Sequence, residues 1–212
     1  MVRKSREGVG SITHSMEIGV LALQGDFAEH QSVLENLGVK VRQVRQPEQL
    51  ASLAGLIIPG GESTTMGKMA AAYGLIEPLR EFGRLHAVWG TCAGAIFLSK
   101  NAKREQHLLN LMDITVTRNA FGRQIDSFES DLDVPELKSV DPADKPFPAV
   151  FIRAPIIESV HGSAKVFARL PDGRIVAARQ EHLLATSFHP ELTSDDRFHR
   201  YFMELIRSKF VQ

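Results

Sequence analysis

Ala87-Val88-Trp89-Gly90-Thr91-Cys92-Ala93-Gly94-Ala95-Ile96-Phe97-Leu98 is the stretch whose reading decides the fold. A short apolar run enters a Gly-x-Cys-x-Gly turn, and an unbroken apolar stretch follows. The pattern predicts a buried strand over 87–89, a sharp turn, and a helix through Leu98. Short continuous apolar strands that alternate with helices argue a parallel sheet covered on both faces. Glycine on either side of Cys92 permits a tight turn that lifts the side chain clear of the sheet, the geometry of a nucleophile elbow. The next helix then points its N-terminus at Cys92, where free N–H groups and the helix dipole favour negative charge, and the N–H of Ala93 is placed to stabilise an oxyanion. The plainer reading is a structural cysteine in a strand-to-helix turn, and the paired glycines weigh against it.

The same alternation extends outward from this stretch. Residues 17–23 (EIGVLAL) read as a strand, and Gln24-Gly25-Asp26 opens a helix with Phe27, Val33, Leu34 and Leu37 at helical spacing, stopped by Gly38. Strands are predicted over 39–44 and 56–58, with a helix over 65–72. Beyond about residue 112 the chain turns strand-rich, with strands expected over 114–117, 149–153, 165–168, 174–178 and 184–188. Thr193-Ser194-Asp195-Asp196 reads as a capping box before a helix with Phe198, Tyr201, Phe202, Leu205 and Ile206 on one face. Residues 131–148, with four prolines, read as a surface excursion.

Length and composition bound the function. A chain of 212 residues, 43% hydrophobic, fits one globular domain. Basic and acidic residues both number 25, so no net field draws nucleic acid or anionic lipid. One cysteine allows no disulfide within the chain and no cysteine-rich zinc site, which fits a reducing cytoplasm. Residues 1–15 lack the apolar core of a signal peptide and read as a disordered leader or appended extension, with Met16 a candidate natural start and 16–212 the functional domain. No stretch approaches the roughly 20 apolar residues of a membrane span.

Three further patches carry chemistry. In Ser187-Phe188-His189-Pro190-Glu191, proline pushes His189 toward an extended conformation, and positions 189 and 191 of an extended segment project to one side. A histidine oriented by a carboxylate and facing a thiol is a triad arrangement. Residues 59–65 (PGGESTT) follow a strand and offer backbone N–H groups to a ligand. A phosphate-binding loop is excluded there, because five residues separate Gly61 from Gly67 and Met69 stands where Ser or Thr is required. Arg118 and Arg153 each end a strand and could clamp a carboxylate. No histidine spacing fits a metal, and no cofactor is expected.

With these residues in view, the chain resembles the glutaminase subunits of pyridoxal 5′-phosphate synthases, within the class I (triad) glutamine amidotransferases. The resemblance rests on residues 19–25 (GVLALQG), 59–67 (PGGESTTMG), 90–94 (GTCAG), 118–128 (RNAFGRQIDSF), 151–155 (FIRAP) and 189–193 (HPELT). It implies a three-layer α/β/α, flavodoxin-like fold. It also implies a triad of Cys92, His189 and Glu191, L-glutamine held by Gly61, Glu62, Ser63, Arg118, Ile152 and Arg153, and Gly61 with Ala93 at the oxyanion. The expected partner is a (β/α)8-barrel synthase that takes the ammonia, with Gln24 the candidate sensor of docking. A cysteine hydrolase of the DJ-1-like kind would lack the His-Pro-Glu, and a non-catalytic subunit would have no call on all three triad residues.

Overall fold

Aliphatic and β-branched residues form the central strands because each is buried on both faces, as a computed structural model of residues 16–118, 127–143 and 145–210 describes. β1 (Glu17–Leu21), β3 (Gly55–Ile58), β4 (Ala87–Thr91) and β12 (Leu183–Thr186) lie side by side in parallel, with β2 (Lys40–Val44) outside β1. The sheet continues antiparallel from β12 through β11 (Ile175–Gln180), β9 (Ile156–Val160) and β6 (Met112–Thr117). β5 (Ser99–Asn101) closes that edge in parallel with β6, and β10 (Lys165–Arg169) pairs with β11. A separate antiparallel ribbon joins β7 (Ser127–Leu132) to β8 (Phe147–Ile152).

Strand alternation assigns the two cores. Leu21, Leu56, Ile58 and Val88 face Met66 and Ala70 of α2 (Ser63–Ala72), Leu79 and Phe82 of α3 (Ile76–Leu85) and Phe97 of α4 (Ala93–Leu98). Ile18, Val20, Ile57, Trp89 and Leu184 face the other way, onto Leu34 of α1 (Phe27–Asn36) and Phe198, Phe202 and Ile206 of α5 (Arg197–Phe210). The expected three-layer α/β/α architecture is therefore present. Because β1 leads outward to β2 and the chain then returns to β3 on its other side, the strand order reverses between β1 and β3, and a ligand crevice belongs at their carboxyl ends.

Several expectations need correction. Residues 131–148 are no mere surface excursion, since Leu132, Val134, Leu137 and Phe147 are buried in the core shared with α5. Helix α5 starts at Arg197 rather than from a Thr193 cap, and the Asp195 carboxylate accepts from the Arg197 N–H at 3.1 Å. Helix α3 lay outside the sequence reading although its pattern is plain: Leu79 and Phe82 share one face, and Pro78 sits in the first turn, where a missing N–H costs nothing. The leader expected over 1–15 and residues 119–126 of the RNAFGRQIDSF motif lie outside the described residues, whereas Met16, the candidate natural start, is described and buried.

Candidate active site

Parallel pairing of β1, β3, β4 and β12 puts four carboxyl ends on one edge, so Gln24 to Asp26, Gly60 to Glu62, Cys92 and His189 converge there although sequence separates them widely. Cys92 sits between β4 and α4 with φ 48° and ψ −105°, a strained non-glycine backbone characteristic of an elbow. Its N–H donates to the Thr186 carbonyl at 2.8 Å, which holds the elbow against β12. The neighbouring glycines serve a different purpose from the one the sequence suggested. Neither has positive φ, and a Cβ on Gly94 would drive into the carbonyl oxygen of Ile58, so glycine is needed for close packing of α4 on β3.

His189 lies against Cys92, 4% exposed, and its Nδ1 donates to Glu191 Oε1 at 2.7 Å. The reason differs from simple strand alternation. Residues Pro190–Leu192 form a 3-10 turn with Pro190 in its first position, and the turn curls the Glu191 carboxylate back under the imidazole. Burial works against a charged His189, but hydrogen bonds to Asp26, Cys92 and Glu191 overcome it and push the imidazolium up to about 12. Burial pushes the Glu191 carboxyl up, and the hydrogen bond from His189 opposes that shift.

Asp26 escaped the sequence reading. Its Oδ2 is 3.4 Å from His189 Nδ1, and contact with the imidazole lowers its own carboxyl against the opposing effect of burial. The signal was positional: it directly follows the Gln24-Gly25 turn, at the end of the first central strand. His189 Nδ1, Asp26 and Glu191 offer ligand-type atoms all within 4.8 Å of one another. The hydrogen bond to Glu191 needs a proton on Nδ1, however, which leaves no lone pair there for a metal.

Above these groups opens a cavity of about 370 Å³ lined by Cys92, Ala93 and His189, and also by Gly61, Glu62, Ser63, Arg118, Ile152 and Arg153. Every residue expected to hold the substrate thus reaches one space, but not every side chain is directed at it. Glu62 caps α2, accepting from Thr65 N at 2.7 Å and Thr64 N at 3.2 Å, and meets Arg118 Nη2 at 2.7 Å. Burial opposes its ionisation, yet these hydrogen bonds from Thr65, Thr64 and Arg118 hold its carboxyl down at about 2. Ser63 is buried and turns its hydroxyl to Gln106 Oε1 at 3.3 Å. Arg153 has φ 43° and, among the described residues, no ion-pair partner. Gln24 does not line the cavity. Its Oε1 accepts from Glu62 N at 3.0 Å, and its amide packs so closely on Gly61, at φ 140°, that any side chain there would strike it.

A thiol, an imidazole and a buried carboxylate brought together at the carboxyl edge of a parallel sheet make this an α/β protein that holds the groups a cysteine triad would require. Residues 20–208 match the model of the SNO glutamine amidotransferase family. The chain is 54% identical to the pyridoxal 5′-phosphate synthase subunit PdxT of Dehalococcoides mccartyi, covering 91% of this chain and 98% of the relative. It is also 54% identical to the subunit of that name from Herpetosiphon aurantiacus, over 90% and 100% of the two chains. A solved glutamine amidotransferase superposes with a TM-score of 0.82 at 48% identity, covering 90% of this chain and 98% of that one. The chain belongs to the SNO glutamine amidotransferase family.

Proposed function

We propose that this chain is the glutaminase subunit of a pyridoxal 5′-phosphate synthase, hydrolysing L-glutamine to L-glutamate and ammonia through Cys92, His189 and Glu191. The observation that carries the reading is His189, set against Cys92 on one side and hydrogen-bonded to Glu191 on the other at the floor of the cavity.

His189 takes the thiol proton of Cys92, Cys92 Sγ attacks the side-chain amide carbon, and the carbonyl oxygen takes up negative charge. Ala93, first residue of α4, has no intrahelical acceptor for its N–H and lines the cavity, so it and Gly61 are the candidate oxyanion donors. His189 protonates the departing nitrogen as ammonia leaves. Water, deprotonated by the same imidazole, then cleaves the thioester and returns Cys92, while Glu191 keeps the imidazole in one tautomer throughout. Arg118 and Arg153 line the cavity, which supports the reading that they meet the α-carboxylate of glutamine.

Ammonia set free in neutral water becomes mostly ammonium, which has no lone pair for attack. The product therefore has to pass directly to a partner; the relatives' name, a synthase subunit, supports a synthase in that place, and the barrel type is what the family resemblance implies. Gln24, which braces the Gly61–Glu62 backbone from the sheet edge, is the candidate through which docking acts on the site. Cytoplasmic placement follows from this metabolic role and the single free thiol. Among the described residues no helix is long and apolar enough to cross a membrane.

Glutamate release from glutamine is the test, with and without a barrel-type synthase. Partner-stimulated release that vanishes in Cys92→Ala is expected, and undiminished release by that variant would remove Cys92 from its role.

A further inference from the structure

His30 and His199 lie directly beneath the triad, fully buried, and the reaction above uses neither. Helix α1 supplies one and α5 the other, and Trp89 meets both rings in T-shaped contacts at centroid distances of 5.6 and 5.0 Å. His30 Nδ1 is 2.9 Å from His199 Nε2. On its other side, His30 Nε2 is 3.1 Å from Thr91 Oγ1 and 3.2 Å from Glu191 Oε2. The contact to Glu191 is one of distance only: that carboxylate oxygen has no aligned hydrogen bond, His30 Nε2 being aligned on Thr91, and His199 Nδ1 has no partner.

Burial decides where the proton between the rings sits. Placed on His30 Nδ1, it obliges neutral His199 to carry its own proton on Nδ1, a buried donor with no acceptor, and it turns a His30 lone pair toward the Glu191 carboxylate. Placed on His199 Nε2, it leaves only an unused lone pair on His199 Nδ1 and puts the His30 proton on Nε2, facing Thr91 and Glu191. A buried donor left unsatisfied is costly, and an acceptor against a carboxylate is repulsive, so the second arrangement prevails. Charging either ring is opposed by burial, which holds His30 well below the usual range and His199 at about 3.

The terminal torsion of a glutamate is broad, so one hydrogen bond does not fix its carboxylate. We infer that His30 is a positioning residue of the triad: its Nε2–H, set by His199 from behind and aligned on Thr91 Oγ1, lies 3.2 Å from the second oxygen of Glu191 and attracts it electrostatically, so that the first stays on His189. The inference rests on the triad reading above. The titratable groups facing Glu191 are His189, His30 and, through space, Asp26, and those facing His30 are His199, His189 and Glu191.

The test compares His30→Leu, which removes the donor, with His30→Gln, which returns one near the Nε2 position, in the presence of the synthase partner. For His30→Leu, kcat should fall about tenfold or more with little change in KM, short of the ~10⁴ lost when a triad's own carboxylate is changed to an amide. The acid limb of its kcat profile should move to higher pH, because an unpaired buried carboxylate holds its proton more tightly, and His30→Gln should recover most of both losses. A His30→Leu enzyme with unaltered kcat and acid limb overturns the inference, as does equal impairment of both variants with the limb unmoved. Side-chain ¹⁵N spectra of the unaltered chain provide a readout independent of variant folding and of glutaminase activity. Both histidines should appear as neutral Nε2–H tautomers, and a His30 carrying its proton on Nδ1 overturns the inference even if glutamine is the wrong substrate.

Discussion

The backbone N–H of His189 donates to the carbonyl of Val150 across 2.8 Å, so the histidine that ends the β12 segment is tied to β8 of the separate ribbon. The same strand carries Ile152 and leads into Arg153 at the cavity wall. Phe151, fully buried between these positions, stacks on Phe128 at 4.6 Å and meets Phe188 edge-on at 5.6 Å. Phe151→Ala should cost about 3–5 kcal/mol of stability. In conditions where the variant stays folded, it should also lower kcat and raise KM together, because both His189 and the substrate wall lose their reference. Denaturant unfolding and glutaminase kinetics check the two effects.

Glu62 serves α2 and Arg118 at once. Glu62→Ala removes the cap, at a cost of about 1 kcal/mol, and frees the Arg118 guanidinium from its anchor. KM for glutamine should rise severalfold with a smaller change in kcat. Glu62→Gln keeps an acceptor for the α2 N–H groups and should preserve the stability while raising KM.

Asp26 and Glu191 both approach His189 Nδ1, at 3.4 and 2.7 Å. Removing the charge of the more distant one, in Asp26→Asn, should let the His189 imidazolium lose its proton more easily. The alkaline limb of the kcat profile should move to lower pH, with kcat at neutral pH reduced by less than about tenfold. Glu191→Gln should cost on the order of 10⁴ in kcat.

Acid sensitivity of the fold should come from the two histidines beneath the triad. Burial holds His199 neutral down to about 3 against an ordinary value of 6.5, and His30 is shifted in the same direction. The unfolded chain therefore binds these protons first, so stability is full above about pH 6.5 and is lost as pH falls below it, by about 1.4 kcal/mol per pH unit for each group. His189, raised to about 12, acts in the opposite sense: its contribution is complete below 6.5 and is lost as pH rises toward 12. Thermal unfolding between pH 7 and 5 should show a falling Tm, and His199→Gln should flatten that slope.

Most of the first half of the fold was legible because its strands are short apolar runs punctuated by glycine, and local pattern suffices where a strand is buried on both faces. The second half was harder to read. Polar residues alternate along β7, as in Ser127, Glu129 and Asp131, and its partner β8 is fixed by pairing rather than by composition. Helix α3 was missed despite a clear apolar face. Cys92 and His189 stood out because a glycine-framed turn and a His-Pro-Glu are locally unusual, whereas Asp26, His30 and His199 look ordinary in sequence. His30 does share the apolar face of α1, three residues from Phe27 and four from Leu34, and a histidine at such a position signals a buried polar contact without naming its partner.

By itself, the sequence determined the alternating strand and helix pattern, the elbow at Cys92 and the six motifs of the family, because each depends on residues within a few positions of one another. Only the tertiary structure decided that Glu191 reaches His189 through a 3-10 turn, that Glu62 is committed to a helix cap and to Arg118, and that two buried histidines stand behind the carboxylate. The turn and the cap are local, but Glu62 with Arg118 and Glu191 with the two histidines join residues far apart in the chain, and those pairings are set by parallel strand order and by the need of every buried polar group for a partner.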